Sequence, residues 1–134
     1  MKVVRIYTGP DNQSHFEDLE LPQPDLPTGG RAGGAEQRSA LIPTEGVIVR
    51  DAQPGAESEF HPAPRRQFVV TLYGAGEIEC GDGTKRRFGP GDIMLADDTT
   101  GQGHITRTIE ARRNLMIPLA ASADISQWKR LGPA

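Results

Sequence analysis

The chain has little cysteine and no long apolar run. Its single cysteine, Cys80, cannot form an internal disulfide, which fits a reducing compartment. No stretch approaches the roughly 20 apolar residues of a membrane-spanning helix, and the first residues lack the apolar core of a signal peptide. We therefore expect a soluble, cytoplasmic protein without a membrane partner.

An excess of basic residues is also missing. The chain has 15 Lys and Arg against 18 Asp and Glu, which gives a net charge of -3. The basic segment at 84–88 is too short to attract nucleic acid to an acidic protein, so we expect no nucleic-acid partner. A length of 134 residues, with 36% hydrophobic and 25% charged residues, is typical of one globular domain. We predict a single domain covering residues 1–134.

Short β-branched or alternating runs make up most of the chain, separated by turns that use its 16 glycines and 11 prolines. This pattern predicts an all-β sandwich or barrel with at most one helix. The Gly81-Asp82-Gly83 sequence predicts a tight hairpin. The predicted strands are 2–7, 14–21, 39–51, 67–73, 76–80, 84–88, 92–96, 104–109 and 114–119.

Two segments fall outside the strand pattern. The Pro- and Gly-rich segment at 22–38, PQPDLPTGGRAGGAEQR, is predicted to be a surface loop within the domain. The segment at 123–131 predicts a short C-terminal helix, because Ile125, Trp128 and Leu131 would share one helical face.

The strand predicted at 67–73 is apolar on both faces. A strand of this kind needs cover on both sides. The cover could come from a second sheet, from the terminal helix or from another subunit. We therefore expect a homodimer.

Residues 55–74, GAESEFHPAPRRQFVVTLYG, resemble the first motif of the cupin superfamily, the small β-barrels of jelly-roll type. That motif runs Gly, five residues, His-X-His, three or four residues, Glu, six residues, Gly. Gly55, His61 and Gly74 stand at matching positions. Ala63 replaces the second histidine and Gln67 replaces the glutamate, so the metal motif is degenerate.

Residues 89–104, GPGDIMLADDTTGQGH, resemble the second cupin motif, a Pro-Gly turn followed by a strand and a histidine. His104 is that histidine, and Asp97 or Asp98 stands where the family usually has proline. The resemblance implies a single-domain cupin jelly-roll β-barrel. It implies little about function, because this fold hosts many kinds of enzymes, storage proteins and sensors.

The resemblance further implies that the residues at the ligand positions line one cavity, namely His61, Ala63, Gln67 and His104. Strand alternation adds Tyr73 and Thr106 to the same cavity. A divalent metal such as Fe, Ni or Zn needs three or four good ligands, and these positions supply two imidazoles and one neutral amide. We therefore expect no metal cofactor. If one binds, its ligands are His61, Gln67 and His104.

Two histidines in one pocket can act as acid and base near neutral pH. His61 and His104 are the candidate catalytic residues, while Gln67, Tyr73 and Thr106 are candidates for binding a small polar or carbonyl substrate. The set favours an isomerase, epimerase, dehydratase or cyclase reaction. The alternatives are a metal-dependent cupin such as a dioxygenase, and a binding module without catalysis, in which the histidines only fill the barrel.

Two arginines are further candidates for substrate binding. Arg65 has the same strand parity as Gln67, and Arg50 ends the run GVIVR. Either could bind a carboxylate or phosphate at the pocket mouth. The alternative for each is a solvated strand end or a surface ion pair.

Overall fold

The computed structural model describes residues 1–22 and 37–132, and all regular secondary structure in these ranges is β-strand. The strands are β1 (Lys2–Thr8), β2 (Ser14–Glu20), β3 (Ile48–Ala52), β4 (Gln67–Glu79), β5 (Lys85–Phe88), β6 (Ile93–Asp97), β7 (Ile105–Pro118) and β8 (Lys129–Leu131). They form one sheet in the order β3-β7-β4-β6-β1-β2-β8, with β5 paired to β4. The all-β prediction is confirmed.

Two strands are longer than the sequence pattern predicts. β4 joins the strands predicted at 67–73 and 76–80, and β7 joins those predicted at 104–109 and 114–119. The two long strands pair along their whole length, with register shifts between Thr71 and Gly76. Irregularities of this kind bend a strand without ending it. The first part of β4 therefore pairs with β6, and its last part pairs with β5.

The core consists of two apolar clusters, and alternation along β1 contributes Val3 to one and Val4 to the other. The first cluster contains Val3, Leu19, Leu21, Phe68, Leu95, Leu119, Ala123 and Trp128. The second contains Val4, Ile6, Ala63, Ile78, Cys80, Phe88, Met94 and Ala96. The strand that is apolar on both faces is thus covered on one side by the C-terminal segment.

The predicted C-terminal helix is wrong. Residues 129–131 form β8, which pairs antiparallel with Asp18–Glu20 of β2. A helix of about nine residues is marginal by itself, because helix nucleation is costly. Pairing with the sheet stabilises this segment more, because it adds backbone hydrogen bonds along β2 and buries Trp128 against Phe68. The two rings have centroids 6.1 Å apart and planes 9° apart.

The predicted surface loop at 22–38 lies mostly outside the described residues. The residues at its two ends are described and lie close together, since the Ala40 amide donates to the Pro22 carbonyl oxygen at 2.8 Å. Within the described ranges there is no helix long and apolar enough to cross a bilayer.

The hairpin predicted at Gly81-Asp82-Gly83 is present between β4 and β5, and Cys80 lies at its base with 1% of its surface exposed. Burial, with smaller contributions from nearby carboxylates, raises the pKa of the Cys80 thiol to about 12. We expect the folded protein to resist Ellman's reagent at neutral pH, because the thiolate is the reactive form. In urea, where the protein is unfolded, we expect the same thiol to react stoichiometrically with the reagent. Rapid labelling of the native protein would contradict this placement.

Candidate functional site

The sheet lines a partly open cavity of about 300 Å³, next to the second core cluster. Its apolar wall comes mainly from Ile78, Phe88, Met94 and Ala96. Its polar wall contains Arg50, His61, Gln67, Thr71, His104, Thr106 and Arg112. Among the described residues that line it there is no aspartate or glutamate. This described lining therefore has cationic and neutral polar groups but no anionic one.

The two histidines lie side by side in this cavity. The amide of each donates to the backbone carbonyl oxygen of the other at 3.0 Å, so His61 and His104 form an antiparallel bridge just before β7. Their ring centroids are 4.9 Å apart. His104 is only 4% exposed, whereas His61 is partly exposed. The backbone bridge thus brings together the two imidazoles predicted from the motifs.

Gly103 makes this bridge possible. Its φ of 78° lies in the left-handed region, and a Cβ at this position would lie 1.9 Å from the carbonyl oxygen of His61. Any side chain there would push the two strand segments apart. The glycine before His104 is therefore part of the geometry that sets the spacing of the two rings.

A buried carboxylate orients His104. His104 Nδ1 and Asp98 Oδ2 are 2.5 Å apart, and the Ser14 hydroxyl donates to the same oxygen at 2.6 Å. Asp98 and Ser14 are both 0% exposed. Because a carboxylate oxygen accepts, Nδ1 carries the proton, and Nε2 of a neutral His104 has a free lone pair. The same reasoning applies to His61, whose Nδ1 donates to the carbonyl oxygen of Glu59 at 3.0 Å.

Gln67 lies at the start of β4 and is 3% exposed. Its Oε1 is buried and has no hydrogen-bond partner among the described residues. Buried polar atoms are rarely left unpaired, so this amide is a candidate to meet a bound molecule. Ala63, at the other substituted motif position, is packed in the second core cluster.

These residues do not form a strong metal site. Two imidazoles and one amide oxygen supply only two strong ligands and no negative charge. Asp98 bonds to the Nδ1 side of His104, so it acts as a partner of that histidine. The described residues contain no group of three or more His, Cys, Asp or Glu side chains placed to hold a metal ion.

Two arginines line the cavity, and sequence reasoning identified one of them. Arg50 on β3 donates to Asn114 Oδ1 at 3.2 Å. Arg112 on β7 is 5% exposed and donates to Thr108 Oγ1 at 3.1 Å. Burial, and then the charge of Arg50, lower the pKa of Arg112 to about 10, and burial lowers that of Arg50. Both guanidinium groups are thus placed in surroundings that do not compensate their charge.

Two predicted substrate-binding residues lie outside the cavity. Tyr73 is 47% exposed and lies under the Arg113 guanidinium, because the register shift after Thr71 breaks the alternation that would have pointed it inward. Arg65 is exposed and is not part of the lining, since β4 begins only at Gln67 and strand parity does not extend to the preceding bend. The structure places the other predicted site residues in the lining: Arg50, His61, Gln67, His104 and Thr106.

Sequence reasoning missed the roles of Asp98 and Arg112. Asp98 follows β6, and only the fold brings it to His104. Arg112 had a usable signal, because it has the same parity as Asn114 and Met116 if the strand predicted from 114 is extended backward. The register shift in β4 does not disturb that part of β7, where pairing with β3 is regular.

The chain is similar to several solved structures. One is a Cupin 2 conserved barrel domain protein from Salinispora arenicola, with 19% identity, 78% of this chain and 77% of that chain covered, and a TM-score of 0.46. Another is a conserved protein with a double-stranded beta-helix domain from Klebsiella pneumoniae, with 23% identity, coverage of 77% and 90%, and a TM-score of 0.45. A third is oxalate decarboxylase from Bacillus subtilis, a protein with Mn(II) centres, with 18% identity, coverage of 63% and 23%, and a TM-score of 0.45.

No protein-family model matches the chain, and the comparison with curated proteins gives no match. Similarity at the level of these structures carries no argument about function. The described strands form a single all-β sheet, and residues from both sequence motifs line its cavity. The predicted fold class is confirmed in this respect.

Proposed function

We propose that the protein is an enzyme that catalyses acid–base chemistry on a small polar or carbonyl metabolite. The reaction class is isomerisation, epimerisation, dehydration or cyclisation. The observation that carries the proposal is the buried hydrogen bond between His104 and Asp98, in the same cavity as His61. It leaves His104 Nε2 free to accept a proton.

The proposed mechanism uses the two imidazoles in turn. His104 Nε2 removes a proton from the carbon next to a substrate carbonyl, and Asp98 stabilises the imidazolium that forms. When His61 carries a proton on both ring nitrogens, it can give its Nε2 proton to the neighbouring atom of the same substrate, since its Nδ1 proton is held by the Glu59 carbonyl oxygen. Gln67 and Thr106 supply polar groups that can orient the carbonyl and its developing negative charge.

A direct test is proton exchange with solvent. The wild-type protein is incubated in D2O with a panel of small carbonyl compounds, and loss of the C–H signal next to the carbonyl is followed by proton NMR. We expect enzyme-dependent exchange for at least one class of compound. His104→Ala and His61→Ala should each slow it by about 100- to 10,000-fold, the usual contribution of a general acid or base. Equal rates in both variants and the wild type would sink the proposal.

A second candidate is metal-dependent chemistry, as in a dioxygenase. The observation that favours it is the unpaired Oε1 of Gln67 in the cavity that contains His61 and His104. Elemental analysis of protein purified without chelators separates the two candidates. Stoichiometric Fe, Ni or Zn that is lost in His104→Ala would favour the metal reading. Exchange activity that survives chelator treatment would favour the first proposal.

The cytoplasmic location and the homodimer also stay proposals. Support for the homodimer comes from exposed apolar side chains on and near β3, where Val47 is 58%, Ile48 is 42% and Val49 is 60% exposed.

A further inference from the structure

Arg50 and Arg112 are neighbours on one face of the sheet. The register of β3 and β7 pairs Arg50 with Asn114 and Ala52 with Arg112. The two arginines are therefore diagonal neighbours with the same strand parity, and both line the cavity. Two like charges at this spacing repel each other, so the arrangement costs free energy unless something else is bound.

Neither guanidinium has a carboxylate partner among the described residues. Their hydrogen bonds go to neutral groups, the Asn114 amide oxygen and the Thr108 hydroxyl. Several other arginines differ: Arg107 contacts Glu57 and Glu79, and Arg113 contacts Asp51. Buried charges in proteins are usually paired. Among the described arginines that are at least partly buried, Arg50, Arg66 and Arg112 lack a carboxylate partner, and of these Arg50 and Arg112 line the cavity.

The described carboxylates near the cavity already have hydrogen-bond partners within the protein. An adjoining groove shares Arg50, His61, Thr106 and Arg112 with the cavity. Glu57, the acidic residue among the described residues of this groove, accepts a hydrogen bond from Arg107 Nε at 2.8 Å. Arg50 and Arg112 thus lie where the cavity meets its groove, next to His61, and no acid from the described chain compensates them.

The position of the Arg112 guanidinium depends on the absence of a side chain at Gly76. A Cβ at Gly76 would lie 2.3 Å from Arg112 Nη1 and 2.8 Å from its Cζ. A side chain at this point of β4 would displace the guanidinium from its present position. Because Arg112 is 5% exposed and hydrogen-bonded to Thr108, its guanidinium is held in place before any ligand arrives, which reduces the ordering cost of binding.

We propose that Arg50 and Arg112 form an anion subsite that binds an oxyanion group of the substrate, a carboxylate or a phosphate. The inference deepens the proposed function, on which it rests: the substrate is a small anionic carbonyl compound. Its anionic group binds the two guanidiniums and its reacting carbon faces His61 and His104. Planar guanidinium groups suit this task, because each can donate two parallel hydrogen bonds to a carboxylate or phosphate.

The test measures anion binding without requiring the substrate. Inorganic phosphate and succinate are titrated separately into the protein at constant ionic strength, and binding is followed by calorimetry and by thermal stabilisation. The wild type should bind at least one of them, and the stronger one indicates which anionic group the site prefers. Arg112→Met and Arg50→Met should each weaken binding by about 10- to 100-fold, the effect of losing a charge-assisted hydrogen bond.

Three further variants sharpen the result. Arg113→Met changes the residue next to Arg112 along β7. The Arg113 guanidinium pairs with Asp51 at the surface, so this variant should leave anion binding unchanged. Arg112→Lys keeps the charge without the planar fork and should bind with intermediate affinity. Gly76→Ala should weaken binding although both guanidiniums remain, because the new Cβ displaces the guanidinium of Arg112. If Arg112→Met does not fold, the lysine and Gly76 variants decide.

Failure of the subsite and failure of the proposed function are distinguishable. Equal affinity in the wild type, Arg112→Met and Gly76→Ala, or no anion binding by the wild type, overturns the subsite, whatever the exchange assay gives. His104→Ala should still bind the anion as the wild type does. Anion binding that depends on the arginines, without proton exchange on any compound, supports the subsite as part of a binding module and contradicts catalysis.

Discussion

Asp98→Asn should leave the protein folded and reduce its catalytic rate by about a thousandfold or more. The asparagine amide can donate a hydrogen bond to His104 Nδ1, which the aspartate cannot do. This would move the ring proton to Nε2 and remove the base. The measurement is the rate of solvent deuterium exchange into the substrate.

A second readout does not depend on a substrate. Nitrogen-15 NMR of the imidazole ring distinguishes the two tautomers, and we expect Nε2 to be unprotonated in the wild type and protonated in Asp98→Asn. Ser14→Ala is the matched control, because it removes the other hydrogen bond to Asp98 Oδ2 and keeps the carboxylate. Its tautomer should stay that of the wild type. An unchanged tautomer in Asp98→Asn would mean that Asp98 does not orient His104.

Trp128→Ala should lower the free energy of unfolding by about 3–5 kcal/mol, the cost of deleting a large buried aromatic side chain. Trp128 is 9% exposed and stacks on Phe68, so its removal opens a cavity in the first core cluster. It also loosens the segment that holds β8 on β2. Urea denaturation followed by far-UV circular dichroism measures the effect.

Trp128→Phe is the conservative control, because it keeps an aromatic ring against Phe68 and should retain most of the stability. A loss of less than about 1 kcal/mol in Trp128→Ala would contradict the placement, since changes of that size are typical of residues outside the core. The cavity expected in Trp128→Ala lies in the first core cluster, whereas the cavity that contains His104 adjoins the second. The Asp98→Asn and Trp128→Ala effects should therefore be separable.

The sequence predicted the fold class well because the strand signals are local. Alternation, turn residues and the spacing of two motifs were enough to place His61, Gln67 and His104 in one cavity. The placement of Tyr73 depends on a feature that is not local. Tyr73 faces outward because a register shift changes the parity of β4, and such a shift depends on the neighbouring strand.

Other features of the site depend on contacts between residues far apart in the chain. Ser14 and Asp98 meet only because β2 and β6 are the two neighbours of β1 in the sheet, so the hydrogen bond between them could not be read from local pattern. The C-terminal segment has helical periodicity and still forms β8, because pairing with β2 decides its conformation. Tertiary context overrides local propensity in such short segments.

The free edges of the sheet differ in a way that bears on aggregation. β8 has only three residues, two of them Lys129 and Arg130, and β5 consists of Lys85, Arg86, Arg87 and Phe88. Short, cationic edges resist pairing with other chains. The edge strand β3 carries the exposed apolar side chains of Ile48 and Val49. Contact between copies would then be confined to one edge, and a contact made by a single edge closes after two molecules and cannot grow into a fibre.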